Sequence, residues 1–319
     1  MTNENMIREI PKKGKNVIGI DIGYGHTKVA YEGLTVKFPT AIAYFTDNGI
    51  SYGENTVYEF EGEKYVVGTD ASSAETFSTT DYKIIEKFAP LIIYHILNQF
   101  KEAKVEIPIE IRTGLALVDW EQKENFAKRI QEFVVNGETI KTNPIIVPQG
   151  VGVYNSYRFQ KPEAIDETVS IIDIGFNTIN LINLDKNKPQ PQKSKSYPSH
   201  GVSSIIKPFV AFLENSFKAG FNEQEAVEIF LKGSFSYGGE VQEKISDYIT
   251  DEKRKFIQKL FNSILVNDKK TLSMSDTVII SGGGAYLLDN VALPKNVLFL
   301  SNGTEKAYEY SNVRGYYLI

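Results

Sequence analysis

The chain has 319 residues, 42% apolar and 24% charged, a balance that supports folded cores and excludes disorder over most of its length. It has no cysteine, and its three histidines (His26, His95 and His200) lie far apart, which excludes disulfide staples, thiolate nucleophiles and paired-histidine zinc sites. The formal net charge of −5 argues against direct, sequence-specific nucleic-acid binding. No apolar run approaches the roughly 18–20 residues of a membrane span, and the opening MTNENMIREI is too polar for a secretory leader. These features lead us to expect a cytoplasmic protein of about two domains, with no membrane partner.

In chain order, residues 17–20 read as a buried strand ending in Asp21, followed by a turn with Gly23 and Gly25 and a second strand at 27–31. Residues 33–80 are rich in Gly, Thr and Tyr and suggest a small sheet-rich subdomain. Residues 81–104 carry apolar positions at helical spacing, with Pro90 expected to kink or split the helix. A strand over 105–117, an amphipathic helix over 120–133 and a buried strand over 144–147 follow, the last running into Gln149-Gly150. A second alternation opens with a strand ending at Asp173, then a polar, basic loop over 185–200. Helices are expected over 203–217, 223–231 and 241–266, the last with a break. A strand at 277–280 leads into Gly282-Gly283-Gly284, with a final strand at 298–300 and a helix at 305–317. The fold class is therefore mixed α/β.

Two segments repeat one pattern, IGIDIGYGHTKVAY from Ile18 and SIIDIGFNTINLIN from Ser170, with Asp21 and Asp173 separated by about half the chain. Glycines at 23, 25 and 175 let backbone N–H groups approach phosphate oxygens without a Cβ in the way. The hydroxyls of Thr27 and Thr178 are candidate donors to those oxygens, and Lys28 adds a point charge. Asp21 and Asp173 would repel phosphates, but they suit a hydrated Mg²⁺, which takes few direct carboxylates. The Gly282–Gly284 run offers bare backbone to a flat group such as an adenine ring or a ribose. The chain contains neither GxxxxGK[ST] nor GxGxxG.

Together, DIGYGHTK, DIGFNTIN and IISGGGAYLL resemble the two phosphate hairpins and the adenosine motif of the actin, sugar-kinase and heat-shock-chaperone ATPase superfamily. VPQGVGVYNSY and SNVRGYYLI resemble its two connecting helices, and the order is similar to ParM/StbA-type plasmid-segregation and archaeal actin-like proteins. The resemblance implies two actin-like, ribonuclease-H-like domains flanking a nucleotide cleft. One spans residues 1–160, with a small subdomain near 33–80 and the C-terminal helix near 304–319 packed back on it. The other spans 161–303, with a helical subdomain near 202–270.

By the same resemblance, Asp21 and Asp173 organise the metal, Lys28 meets the β-phosphate, and Gly23, Tyr24, Gly25, His26 and Thr27 form the first phosphate turn. Gly175, Phe176, Asn177 and Thr178 form the second, Gly282, Gly283 and Gly284 face the adenosine, and Glu228 and Lys232 reach the ribose. Gln149 falls where the family places its water-positioning Gln or Glu; an amide orients water by hydrogen bonds but is no general base. The implied function is a Mg-dependent ATPase (or GTPase) that polymerises head to tail and segregates plasmid or other DNA through a DNA-binding adaptor. The alternatives are a small-molecule kinase, for which Asp119 is the nearest candidate base, and a non-polymerising scaffold of the same fold.

Overall fold

The computed structural model describes residues 10–46, 56–72, 74–79, 81–100, 109–242, 245–289, 291–301 and 306–319. Two mixed sheets share one plan. In the first, β1 (Val17–Ile22) pairs antiparallel with β2 (His26–Tyr31), which pairs with β3 (Leu34–Pro39). A three-stranded sheet follows, made of β4 (Ile42–Tyr44), β5 (Tyr58–Phe60) and β6 (Glu63–Val67). Helix α1 (Tyr82–Gln99) is capped by Asp81, which accepts from the Lys83 amide. It runs unbroken through Pro90, because Phe88, Ala89, Leu91 and Ile92 around the proline are all buried in one core and hold the helix together.

On the other side of β1 lies β7 (Ile109–Leu115), parallel to it. Residues 101–108, where the strand was expected to begin, lie outside the described residues. The expected helix over 120–133 is shorter: a 3₁₀ stretch leads into α2 (Lys123–Gln131), and β8 (Glu132–Val135) turns antiparallel into β9 (Glu138–Pro148). The turn at Asn136-Gly137, with both residues at positive φ, makes that hairpin. An Asn-Gly pair between alternating residues was the signal for it in the sequence.

Helix α3 (Val151–Gln160) crosses to the second sheet, where β10 (Thr168–Ile174) pairs antiparallel with β11 (Thr178–Asp185). The stretch expected as a loop over 185–200 contains β12 (Lys188–Pro189) and β13 (Lys195–Pro198), both antiparallel to β11. Lys195, which sequence alone leaves as a surface cation, is bound at 2.5 Å by the buried carboxylate of Asp268. Helices α4 (Ser203–Phe217) and α5 (Glu223–Lys232) follow, the latter opened by an Asn222–Glu225 capping box and closed by Gly233 at positive φ. A short hairpin, β14 (Ser236–Tyr237) and β15 (Glu240–Val241), precedes α6 (Ile245–Leu260). The expected break there is a π-helical turn at Phe261–Val266, before α7 (Lys269–Ser273).

Strand β16 (Thr277–Ser281) is parallel to β10, and β17 (Val297–Phe299) is parallel to β16. The order β3-β2-β1-β7-β9 in one sheet thus matches β13-β11-β10-β16-β17 in the other. Helix α8 (Ser311–Leu318) returns to the first half. It lies on β1, where a Cβ on Gly19 would meet the Val313 carbonyl at 2.9 Å, and it crosses α3 so closely that a Cβ on Gly315 would sit 1.6 Å from the Gly152 carbonyl. Arg112 donates to the Tyr317 and Ile319 carbonyls and anchors the end of α8. Separate apolar cores fill the two halves, one under α1 and α2 and one under α4, α5 and α6.

Candidate functional site

The two hairpins face each other. The first register sets Asp21 opposite Lys28, and the second sets Asp173 opposite Asn180, so the repeat places a carboxylate opposite an amine in one hairpin and opposite an amide in the other. The turns touch: a Cβ on Gly25 would lie 3.0 Å from the Phe176 ring. Gly282 must be glycine twice over. Its φ is +88°, and a Cβ there would fall 2.6 Å from Asp173 Oδ1. Gly283 has nothing within 4 Å of where its Cβ would be, leaving its face open to the cleft.

Between the hairpins lies a cavity of about 440 Å³, within the range of small-ligand sites. Asp21, Gly23, Tyr24, Gly25, His26 and Lys28 line it from the first half. Asp173, Gly175, Phe176, Thr178, Gly282 and Gly283 line it from the second, with Gln149 at the junction. Five of the expected residues stand elsewhere. Thr27 is fully buried, and its hydroxyl is hydrogen-bonded to that of Thr40 at 2.9 Å, facing away from the cleft. Asn177 and Gly284 do not line the cavity; the space beside Gly284 is taken by Ile174. Glu228 and Lys232 are about 70% exposed and face each other on the outside of α5 at 3.8 Å. Val227 and Leu231, one residue earlier in each case, line the cavity instead. One residue on a helix is a rotation of about 100°, and that phase decided which pair faced the cleft.

Lys37, Asn180, Val202, Tyr286, Glu309 and Asn312 also line the cavity, none of them expected from the sequence. For Asn180 the signal was present, since it stands at the same offset from Asp173 as Lys28 from Asp21. Asn312 and Glu309 are set by where α8 docks, which no local pattern reports.

Polar contacts cross the floor of the cleft. Lys28 Nζ lies 3.3 Å from Asp21 Oδ2, Gln149 donates to Asp21 Oδ1 at 3.4 Å, and Asn180 donates to Gln149 Oε1 at 3.3 Å. Asn312 donates to Asp173 Oδ2 at 2.7 Å. Burial, reinforced by the charge of Asp21, pushes Asp173 up to about 6, only partly offset by Asn312 and Lys28. His26 is pulled down to about 4, by burial first and then by Lys28 and Lys37, so it is neutral at pH 7. At the rim, burial would raise Glu309, but Lys37 at 2.8 Å and the Tyr286 hydroxyl outweigh it and hold the carboxyl below its usual range.

These residues fit a nucleotide with a hydrated cation. Two carboxylates, each about 5% exposed, approach from opposite walls, and a bound cation would relieve their mutual repulsion. Among the described residues no group of three or more His, Cys, Asp or Glu side chains is placed to form a protein-only metal cage. Asp21 and Asp173 are the residues that would hold a hydrated Mg²⁺, an ion that takes few direct carboxylates.

Two family models match in succession: "Actin like proteins N terminal domain" over residues 19–152 and "Archaeal actin homologue MreB-like, C-terminal" over residues 171–292. The chain belongs to the actin-like proteins. Solved structures share the fold of this actin-like protein along nearly its whole length. A ParM from Clostridium botulinum, solved as a 15-stranded filament, is 20% identical with a TM-score of 0.75, over 95% of this chain and 98% of that one. The archaeal actin homolog Ta0583 is 20% identical with a TM-score of 0.72, over 94% and 97%. A Bacillus thuringiensis ParM solved with ADP is 16% identical with a TM-score of 0.65, over 95% and 98%. Comparison with curated protein sequences gave no significant match. Among the described residues no helix is long and apolar enough to cross a membrane.

Proposed function

We propose that this actin-like protein is a cytoplasmic Mg-dependent ATPase, or GTPase, whose nucleotide closes the two halves and drives head-to-tail assembly into filaments. On this reading residues 1–160 with the C-terminal helix form one half and residues 161–303 the other. The observation that carries it is the pair of buried carboxylates, Asp21 and Asp173, facing each other from glycine turns across one cavity. Bound Mg²⁺ supplies charge neutralisation for the phosphates.

Gly23, Gly25 and Gly175 cradle the phosphates, with Lys28 adding its charge. Val202, Val227, Leu231 and Gly283 offer an apolar, open wall to the base. Gln149 orients the attacking water, and Asn180 holds its amide in place. The filament reading draws support from the ParM relative solved as a filament, and the nucleotide reading from relatives solved with ADP, including Ta0583. Plasmid or other DNA segregation through a DNA-binding adaptor is the cellular role we assign. The acceptor-kinase alternative is weakened because Asp119 does not line the cavity and accepts from the Tyr24 hydroxyl at 3.1 Å.

The test is 90° light scattering across a protein dilution series with Mg-ATP, Mg-ADP or EDTA. A nucleotide-triggered rise above a sharp concentration threshold is expected, because open-ended assembly has a critical concentration. A flat trace with ATP still bound or turned over would move the assignment to a kinase or a scaffold.

A further inference from the structure

Helix α8 carries Asn312, which lines the cleft, and Tyr316 one turn further on. Asn312 is spent on Asp173 and on the Gly150 amide. Tyr316 has no such account. It is fully buried, and its hydroxyl has no hydrogen-bond partner among the described residues. Its ring fills a slot between β7 and α3, where a Cβ on Gly114 would lie 2.1 Å from Oη and a Cβ on Gly152 would lie 2.6 Å from Cε1. Phenylalanine would fill the same slot without burying an unsatisfied hydroxyl, which is unfavourable.

Strand register locates that hydroxyl. Ile20 on β1 pairs with Thr113 on β7, so Asp21 and Gly114 are lateral neighbours. Side chains alternate along a strand, so Asp21 shares its face with Gly19, which meets Val313 and Tyr317 of α8. Tyr316 Oη, against Gly114, therefore lies beside the base of the Asp21 side chain. The donors to Asp21 are distant ones, Lys28 at 3.3 Å and Gln149 at 3.4 Å, which leaves carboxylate lone pairs available. Burial raises the Tyr316 pKa, and the charges of both Asp21 and Asp173 raise it further, so both carboxylates act on the hydroxyl.

We propose that Tyr316 is a positioning residue whose hydroxyl donates through one buried water to the Asp21 carboxylate, fixing the orientation in which Asp21 receives the hydrated cation. The inference rests on the cleft being a Mg-nucleotide site. A donor without an acceptor beside a carboxylate with free lone pairs is the setting in which a bridging water is retained. Supporting groups of this kind are worth about tenfold or more in metal affinity.

The experiment compares wild type with Tyr316→Phe in three measurements. These are the Mg²⁺ concentration that half-saturates binding of a fluorescent ADP analogue, the melting temperature without ligand, and a high-resolution crystal structure of the wild type. We expect the variant to raise the Mg²⁺ midpoint by about tenfold while nucleotide affinity in EDTA is unchanged, and the wild-type map to show a water between Tyr316 Oη and Asp21. An unchanged midpoint with an equal or higher melting temperature would mean a merely trapped hydroxyl and overturn the proposal. If wild type binds no nucleotide in any Mg²⁺ concentration, the nucleotide reading fails. The bridging density then decides the Tyr316 contact alone: its presence upholds the contact and its absence ends it.

Discussion

Asn312 Nδ2 donates to Asp173 Oδ2 at 2.7 Å, while Asn312 Oδ1 accepts from the Gly150 amide at 2.9 Å. One side chain on the last helix thus ties the second hairpin to the start of the helix joining the two halves. Asn312→Ala leaves Asp173 short of a donor and the Gly150 N–H without its acceptor, both in a buried place. We expect a loss of about 2–3 kcal/mol in stability, read by urea unfolding, together with weakened Mg-nucleotide binding. Unchanged stability would show that solvent replaces the amide.

The crossing of α3 and α8 gives the sharpest steric prediction. A methyl on Gly315 would lie 1.6 Å from the Gly152 carbonyl, backbone against backbone, with no flexible side chain to give way. Gly315→Ala should destabilise the protein by about 3 kcal/mol or more, measured by thermal melting. A near-neutral result would mean that the helices part easily.

Turnover should separate from binding at Gln149. Gln149→Ala removes the amide between Asp21 and Asn180 while leaving the phosphate turns intact. Single-turnover hydrolysis should slow about a hundredfold with nucleotide affinity retained. Collapse of binding with normal turnover per bound nucleotide would make Gln149 structural. Asp173→Ala should abolish Mg-dependent hydrolysis without unfolding the chain.

On α5 the outward pair should be dispensable. Glu228→Ala and Lys232→Ala break an exposed contact at 3.8 Å and should change stability by less than about 0.5 kcal/mol, with nucleotide affinity unaffected. Val227→Glu should weaken binding, because it puts a charge into the cleft wall. Titration with a fluorescent nucleotide distinguishes the two sets.

His95 sets a pH dependence away from the cleft. Burial holds its pKa near 4, against 6.5 when unperturbed, and its ring nitrogens meet the Tyr58 hydroxyl and the Gln99 amide, each at 2.8 Å. The unfolded chain takes up this proton as pH falls through 6.5, and the folded chain only near 4. Stability is therefore full above about 6.5 and is lost progressively down to about 4, by an order of 3 kcal/mol. His26, also lowered to about 4, adds to the same window. In His95→Gln, the slope of unfolding free energy against pH between 4 and 6.5 should flatten.

The sequence by itself determined the two Asp–Gly hairpins, the glycine run after β16 and the α/β alternation. Each of these is a short pattern whose periodicity or turn chemistry acts within a few residues. The Asn-Gly hairpin between β8 and β9 was equally local and went unread. Only tertiary structure decided which side of α5 meets the cleft, because a helix's rotation against its neighbours follows from packing of Ala226, Ile229 and Phe230 into a core built from distant segments. The same holds for Thr27, turned inward to Thr40, and for Lys195, drawn to Asp268 from 73 residues away. Asn312 reaches the cleft, and Tyr316 packs between β7 and α3, because glycines at 19, 114, 152 and 315 let α8 come close, a complementarity between surfaces that no single segment encodes.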